Sequence, residues 1–266
     1  MTKREKIGRK FQNLHTEAAK SLLPVINDWM DSQRKAIFAG LNKFQKANAK
    51  DIVINLIDWE QFTEETERKV KPAILAIMAE AGDMAISQTE LQVAFDIVNE
   101  RAVKVASQIS AKMVREVTDE TQAALRHLIT EGIKTQSMPK IAMQIRPLVG
   151  LTERQTIAVA NFEEHLLITR PELSQARVDK MISTYEKRMH NRRADMISRT
   201  EAGDAVSEGS LLGYEQAGLE EVEINAAAEH CAICDQYDGK RYKLEDSHGV
   251  LLIHPNCRCS WIPVVK

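Results

Sequence analysis

The stretch TELQVAFDIVNERAVKVASQISAKMVREVTDETQAALRHLI, residues 89–129, carries the strongest periodic signal in the chain. Leu91, Phe95, Val98, Val105, Ile109, Met113 and Val117 follow one another at helical spacing. Side chains so spaced share one face of an α-helix. No proline interrupts the run, and the spacing predicts helix from Thr89 to Ile129. A helix of about 40 residues is long for a globular protein, which predicts a break near Thr118 or a long hairpin with a neighbour. The apolar stripe reads as a core face, with a partner-binding helix as the alternative.

Reading outward gives more helix on both sides. Upstream, SLLPVINDWMDSQRKAIFAGLNKF (21–44) sets Val25, Trp29, Ile37 and Leu41 at helical intervals, with Pro24 in the first turn. A break is expected near 48–55. A second helix is expected from Thr63 to Ala81, with Val70, Ile74, Ile77 and Met78 on one face and Gly82–Asp83 as its stop. Downstream, the glycines and prolines of 131–150 predict turns around a short helix at 140–145. Thr152 reads as the cap of a helix ending near Ile168, and Pro171 as the start of another that runs toward Met196. A further helix over 200–216 carries three glycines. Few glycines and prolines, 11 and 7 in 266 residues, agree with a helical body.

The character changes at Gly218. Val222 and Ile224 alternate as in a strand, and Asp238–Gly239 reads as a tight turn feeding Arg241–Leu244. Short strands are also expected at Val250–Ile253 and Ile262–Val265. The fold class read from this pattern is mainly α: an elongated helical body with a small C-terminal β-rich module, α+β overall. The expected division is a helical N-terminal domain at 1–149, a helical part at 150–217, and a metal-stapled module of the same domain at 218–266.

All four cysteines lie in that module, as CAIC (Cys231, Cys234) and CRC (Cys257, Cys259), with 22 residues between the pairs. Two residues between thiols let both reach one ion from a tight turn, and zinc takes four such ligands in a tetrahedron. Cys231, Cys234, Cys257 and Cys259 are therefore read as ligands of a structural zinc. His254, in HPNCRC, is the alternative ligand in place of one of the last two cysteines, or orients a cysteine from behind. His230 and His248 are weaker candidates. Two disulfides fit poorly with a chain that shows no signal peptide. Neither a thioredoxin-like unit around CxxC nor an HExxH, a phosphate-binding glycine loop or a GxSxG elbow is present, and no enzyme is expected. Glu229, Asp235 and Asp238 would be the carboxylates nearest a catalytic metal.

Charge is unevenly spread. Residues 1–50 carry eleven basic and four acidic side chains, whereas 51–100 carry three and eleven. The last segment, 201–266, carries five basic and twelve acidic. The basic start, with Lys3, Arg4, Lys6, Arg9 and Lys10, could meet nucleic acid or an acidic partner, aided by Lys43, Lys46 and Lys50. It could equally pair with the acidic block, 51–100, that follows it. The acidic tail is the wrong sign for phosphates. No segment approaches the roughly 20 apolar residues of a membrane span, and a soluble protein folded in the cytoplasm is expected.

Three ordered pieces resemble the phage head morphogenesis family typified by the Mu F protein. They are GLTERQTIAVANFEEHL (150–166), RRADMISRTE (192–201), and the final set of Cys231, Cys234, Asp238–Gly239 and HPNCRC (254–259). The likeness covers roughly 150–261. Members often carry a Trp shortly before the first cysteine, where this chain reads VEINAAAEH (222–230). The resemblance implies a minor head protein of a tailed phage, located in the virion and associated with the portal and procapsid interior. Its partners would be portal, major capsid or scaffolding proteins, and DNA during packaging or ejection, with no membrane. It also implies that Arg199, Thr200 and Glu201 form a structural network between body and tail. A DNA-binding accessory protein using the basic N-terminus is the alternative function, and a transferase-like enzyme a more distant one.

Overall fold

The computed structural model describes residues 1–47, 59–89, 94–97, 99–135, 150–227 and 230–264. Among the described residues, five long helices precede a small sheet: α1 Lys3–Ala47, α2 Trp59–Ile86, α3 Glu100–Thr135, α4 Glu153–Thr169 and α5 Gln175–Gln216. After them come β1 Glu221–Asn225, the one-turn α6 Ala232–Asp235, β2 Arg241–Lys243 and β3 Ser260–Pro263. The strands form an antiparallel sheet in the order β2-β1-β3. The expected class, mainly α with a small β-rich tail, is the class observed. Among the described residues no helix is long and apolar enough to cross a membrane.

Several expected boundaries are corrected, and in most cases apolar burial explains why. The basic start and the 21–44 stretch form one helix, so Pro24 lies deep inside α1 rather than in a first turn. A proline inside a helix costs about 3 kcal/mol. Along the same face Phe11, Leu14, Leu22, Ile26, Trp29 and Ile37 are all buried. Each contributes roughly 1.5–3 kcal/mol, which outweighs the proline. The carbonyl that Pro24 leaves without its usual partner belongs to Lys20, an exposed residue within reach of water.

Gly82 does not stop α2, which continues to Ile86. The reason lies on α5. A Cβ on Gly209 would stand 2.5 Å from the Met78 carbonyl oxygen, and one on Gly213 would stand 2.5 Å from that of Gly82. Two backbones therefore touch over one helical turn, and glycine is what permits it. The glycines that weaken helix propensity in 200–216 are thus a packing surface, and α5 runs unbroken through them. Its start is Gln175, not Pro171; the Ser174 carbonyl accepts the first helical N–H groups, from Arg177 and Val178.

Among the described residues, the 89–129 stretch is helical from Glu100. Asn99 caps α3, its Oδ1 accepting the Arg101 N–H at 2.9 Å. Phe95 precedes the helix and is buried over Gly82, and its N–H donates to Asp83 at 3.0 Å. Leu91 and Val98 lie outside the described residues. The expected break near Thr118 does not occur, and α3 continues to Thr135. Thr152 and Gln155 form the capping box that opens α4. The expected short helix at 140–145 lies outside the described residues.

The chain forms two compact units that interleave along the sequence. One comprises Met1–Ile26, Glu67–Met113 and Asp195–Lys266; the other Asn27–Thr66 and Val114–Ala194. In the second, Leu151, Val159 and Met189 form a core against which Ile182 and Tyr185 pack. Arg193 is fully buried there, donating to the Gly150 and Val117 carbonyls and pairing with Glu120 at 2.9 Å. Burial lowers its pKa, and Glu120 opposes that fall.

In the first unit the sheet is fastened to α5. The Trp261 indole donates to Ser207 at 3.1 Å, and the Tyr214 hydroxyl donates to the Trp261 carbonyl at 3.3 Å. Tyr214 is fully buried, and burial holds its pKa well above the ordinary value, so it remains a donor. The expected strand at 250–253 is a turn instead. Leu252 has φ 70 and Asn256 φ 61, and this left-handed backbone cannot continue a strand.

An exposed helical Gly→Ala substitution is worth about 1 kcal/mol of stability. Gly209→Ala should reverse that sign, because the clashing atom is a carbonyl oxygen that cannot rotate away. A net loss of about 1–3 kcal/mol is expected in urea unfolding. A stabilised variant would remove the close helix contact as the reason for this glycine.

Candidate metal centre

Cys231 stands just before α6 in extended conformation, and its carbonyl accepts the Asp235 N–H at 3.1 Å. That single turn brings Cys234 back toward Cys231. Cys234 and Cys257 are buried, Cys259 is half-buried and Cys231 is exposed. All four thiols are free, so neither disulfide is formed.

The left-handed residues Leu252 and Asn256 flank His254 two residues away on each side. Its Nδ1 donates to the Pro255 carbonyl at 2.8 Å, which leaves Nε2 to face the thiols. Nε2 lies 3.2 Å from Cys231 Sγ and 3.1 Å from Cys234 Sγ. Cys234 Sγ lies 3.7 Å from Cys257 Sγ. A metal–sulfur bond of about 2.3 Å in a tetrahedral shell sets sulfurs about 3.8 Å apart and a sulfur and a nitrogen about 3.5 Å apart. The observed edges are close to both.

The ligand atoms fall into two overlapping trios, Cys231–Cys234–His254 and Cys234–Cys257–Cys259, each within 4.8 Å. Cys234 belongs to both. These five residues form a cluster that could hold a metal ion. Among the described residues, no carboxylate belongs to either trio.

The local electrostatics favour thiolates at two positions. Hydrogen bonds from the Cys234 backbone hold Cys231 down to about 7. Cys257 is held down to about 5, chiefly by a hydrogen bond from the Cys259 thiol. Cys259 is pushed up in turn, as the donor to that thiolate. Burial pushes Cys234 up to about 11. The backbone bond to Pro255, followed by the neighbouring thiols, raises His254.

The weaker histidine candidates are engaged elsewhere. His230 Nε2 pairs with Asp235 at 2.9 Å, and this bond raises its pKa. His248 Nδ1 meets the Glu208 carboxylate at 2.6 Å, whose other oxygen accepts the Gly249 N–H at 2.9 Å. Glu229 lies outside the described residues.

The 199–201 element touches the cysteine loop. Thr200 Oγ1 accepts the Asn256 N–H at 3.4 Å. Arg199 pairs with Asp195 one turn back at 2.9 Å, and its carbonyl bonds to the ring of His15 at 2.9 Å. Glu201 is half-buried beside them in sequence. His15 is buried, which lowers its pKa. No sequence signal marked His15 or Glu208, because each matters only through what the fold brings to it.

The basic N-terminus divides. Arg4 is engaged within the chain, donating to Glu223 at 2.9 Å, to Asp238 at 2.6 Å and to the Ile224 carbonyl at 3.2 Å. Lys10 reaches Gln88 at 3.3 Å. Lys3, Lys6 and Arg9 are exposed. The side chains of Lys43 and Lys46, and Lys50 altogether, lie outside the described residues. No family model, curated protein or solved structure matches this chain.

Partial burial pushes the Asp238 carboxyl up, but Arg4 and the Ala226 N–H outweigh it and hold the pKa below the ordinary value. A depressed carboxylate adds stability above its unfolded pKa and loses it as pH falls through the folded one. Arg4→Gln should therefore cost about 1 kcal/mol near neutrality, given the pair's partial exposure. The gap from wild type should close as pH falls through the folded Asp238 pKa. Unfolding curves measured across acid pH check this; a gap independent of pH would refute it.

Proposed function

We propose that this chain is a structural, non-enzymatic minor head protein of a tailed bacteriophage, assembled in the host cytoplasm and carried in the virion. Its partners would be the portal protein and the capsid or scaffolding proteins around it. The observation that carries the reading is the ordered set 150–166, 192–201 and Cys231 to HPNCRC. The Thr200–Asn256 hydrogen bond supports it, because it joins two of these pieces across 56 residues. The engagement of Arg4 by Glu223 and Asp238 weighs against a nucleic-acid role centred on the N-terminus.

The ion in the tail is, on this reading, a structural zinc. Cysteine and imidazole donors without a carboxylate suit zinc over calcium or magnesium. The ligands are Cys231, Cys234, His254 and Cys257, with Cys259 behind them as donor to Cys257. His254 takes the fourth place because its free nitrogen touches two of the thiols. Such a shell is closed and contributes folding energy to a small module.

Two experiments separate the parts of the proposal. Protein purified under reducing conditions should contain about one zinc per chain. Cys234→Ser should abolish binding and expose the tail to protease, His254→Ala should weaken binding, and Cys259→Ser should keep the metal. Metal-free wild-type protein would refute the zinc clasp. For the head role, deleting the gene from its phage should give defective heads, and the protein should co-purify with portal. A deletion phage of normal infectivity would overturn it.

A further inference from the structure

In the second compact unit, α4 turns back on the start of α5, and the Phe162 and Tyr185 rings stack between them at 4.4 Å. Beside this stack lies an open cavity of about 500 Å³. Arg177, Lys180, Thr184 and Arg188 line it from α5. Their spacing of three or four residues places them along one helix face. Three of its lining side chains are cations and none is a carboxylate. Among the described residues, Arg177, Lys180 and Arg188 pair with no acid. The nearby Glu186 instead stands beside Glu163 and Arg34.

Arg4, Lys20, Arg34, Arg101, Arg193 and Arg199 each meet an acid, whereas these three cations share one groove wall that no lining carboxylate neutralises. At 1.5 Å per residue, Arg177 and Arg188 are about 16 Å apart along the axis. A nucleic-acid strand presents one phosphate per about 3.4 Å of duplex rise, so the row is long enough to meet several. We propose that the α4–α5 groove binds the phosphodiester backbone of nucleic acid without reading its sequence. Cations repeated along an axis suit a polymer that repeats its charge along an axis. An acidic protein segment is the competing occupant.

The test is titration of the full chain with labelled mixed-sequence oligonucleotides over a range of salt, duplex in one arm and single-stranded in the other. It needs no phage component and so stands apart from the head-protein reading. The triple variant Arg177→Gln, Lys180→Gln, Arg188→Gln should flatten the slope of log Kobs against log salt by about 3. Low-salt affinity should fall by about tenfold or more. The arm in which this happens identifies the form bound. Unchanged circular dichroism and unfolding midpoint would show that the variant folds. The control Lys3→Gln, Lys6→Gln, Arg9→Gln should keep the wild-type slope. No binding by wild type at low salt would overturn the proposal, as would a groove variant with the wild-type slope. So would loss of poly-glutamate binding in the variant while DNA binding is kept.

Discussion

The tail is organised by the contact between α5 and α2 at Gly209 and Gly213. At these positions the α2 backbone occupies the space a Cβ would need. Close approach of two backbones fixes the axial position of both helices, because only a glycine step can sit there. With α5 so placed, the residues around the contact become fixed posts. Ser207 and Tyr214 hold Trp261 from both its indole and its carbonyl, and so hold β3. Glu208 holds the 248–249 turn, and Thr200, further back on α5, touches the loop that carries Cys257. The tail is therefore registered against one helix at several points.

This explains how much of the fold the sequence disclosed. Apolar periodicity located the helices because it reports burial, and burial is what forms them. It failed where burial continued without helix. Phe95 keeps the helical spacing of the 89–129 stretch, yet it is buried from outside α3, over Gly82. Pro24 and the glycines of α5 read as local stops, since propensity is local. The packing that overrides them is not. The strand expected at 250–253 failed for another reason. Leu251 is buried and its neighbours are apolar, but the left-handed backbone at Leu252 serves the turn into His254. A non-glycine residue in that region leaves no mark in composition.

The cysteine cluster was legible because thiol pairs at short spacing have few uses. What spacing could not give was the orientation of His254. That depends on the carbonyl of Pro255, which takes up Nδ1 and leaves Nε2 facing Cys231 and Cys234. Charge behaved likewise. Counting pointed the basic first segment at the acidic block 51–100 that follows it, whereas Arg4 pairs with Glu223 and Asp238 of the tail. The groove cations Arg177, Lys180 and Arg188 sit in a stretch of modest net charge, where counting hides them.

The sheet itself is too small to account for its own order. Its strands have five, three and four residues. A two- or three-stranded sheet of this size needs a partner face to be stable. Trp261 supplies one at β3, edge-on to Tyr242 at 5.6 Å and buried against α5. Arg4 supplies another at β1 and the Asp238 turn. Neither bond reaches α6, the single turn that holds Cys234 and follows Cys231. One helical turn has no stability of its own, since nucleation is unfavourable. The link from that turn to the rest of the tail runs through Cys231 and Cys234, which both touch His254, and through Cys234 to Cys257. The thiol–imidazole cluster thus stands where packing is thinnest, and there a bound ion would do most to hold the module together.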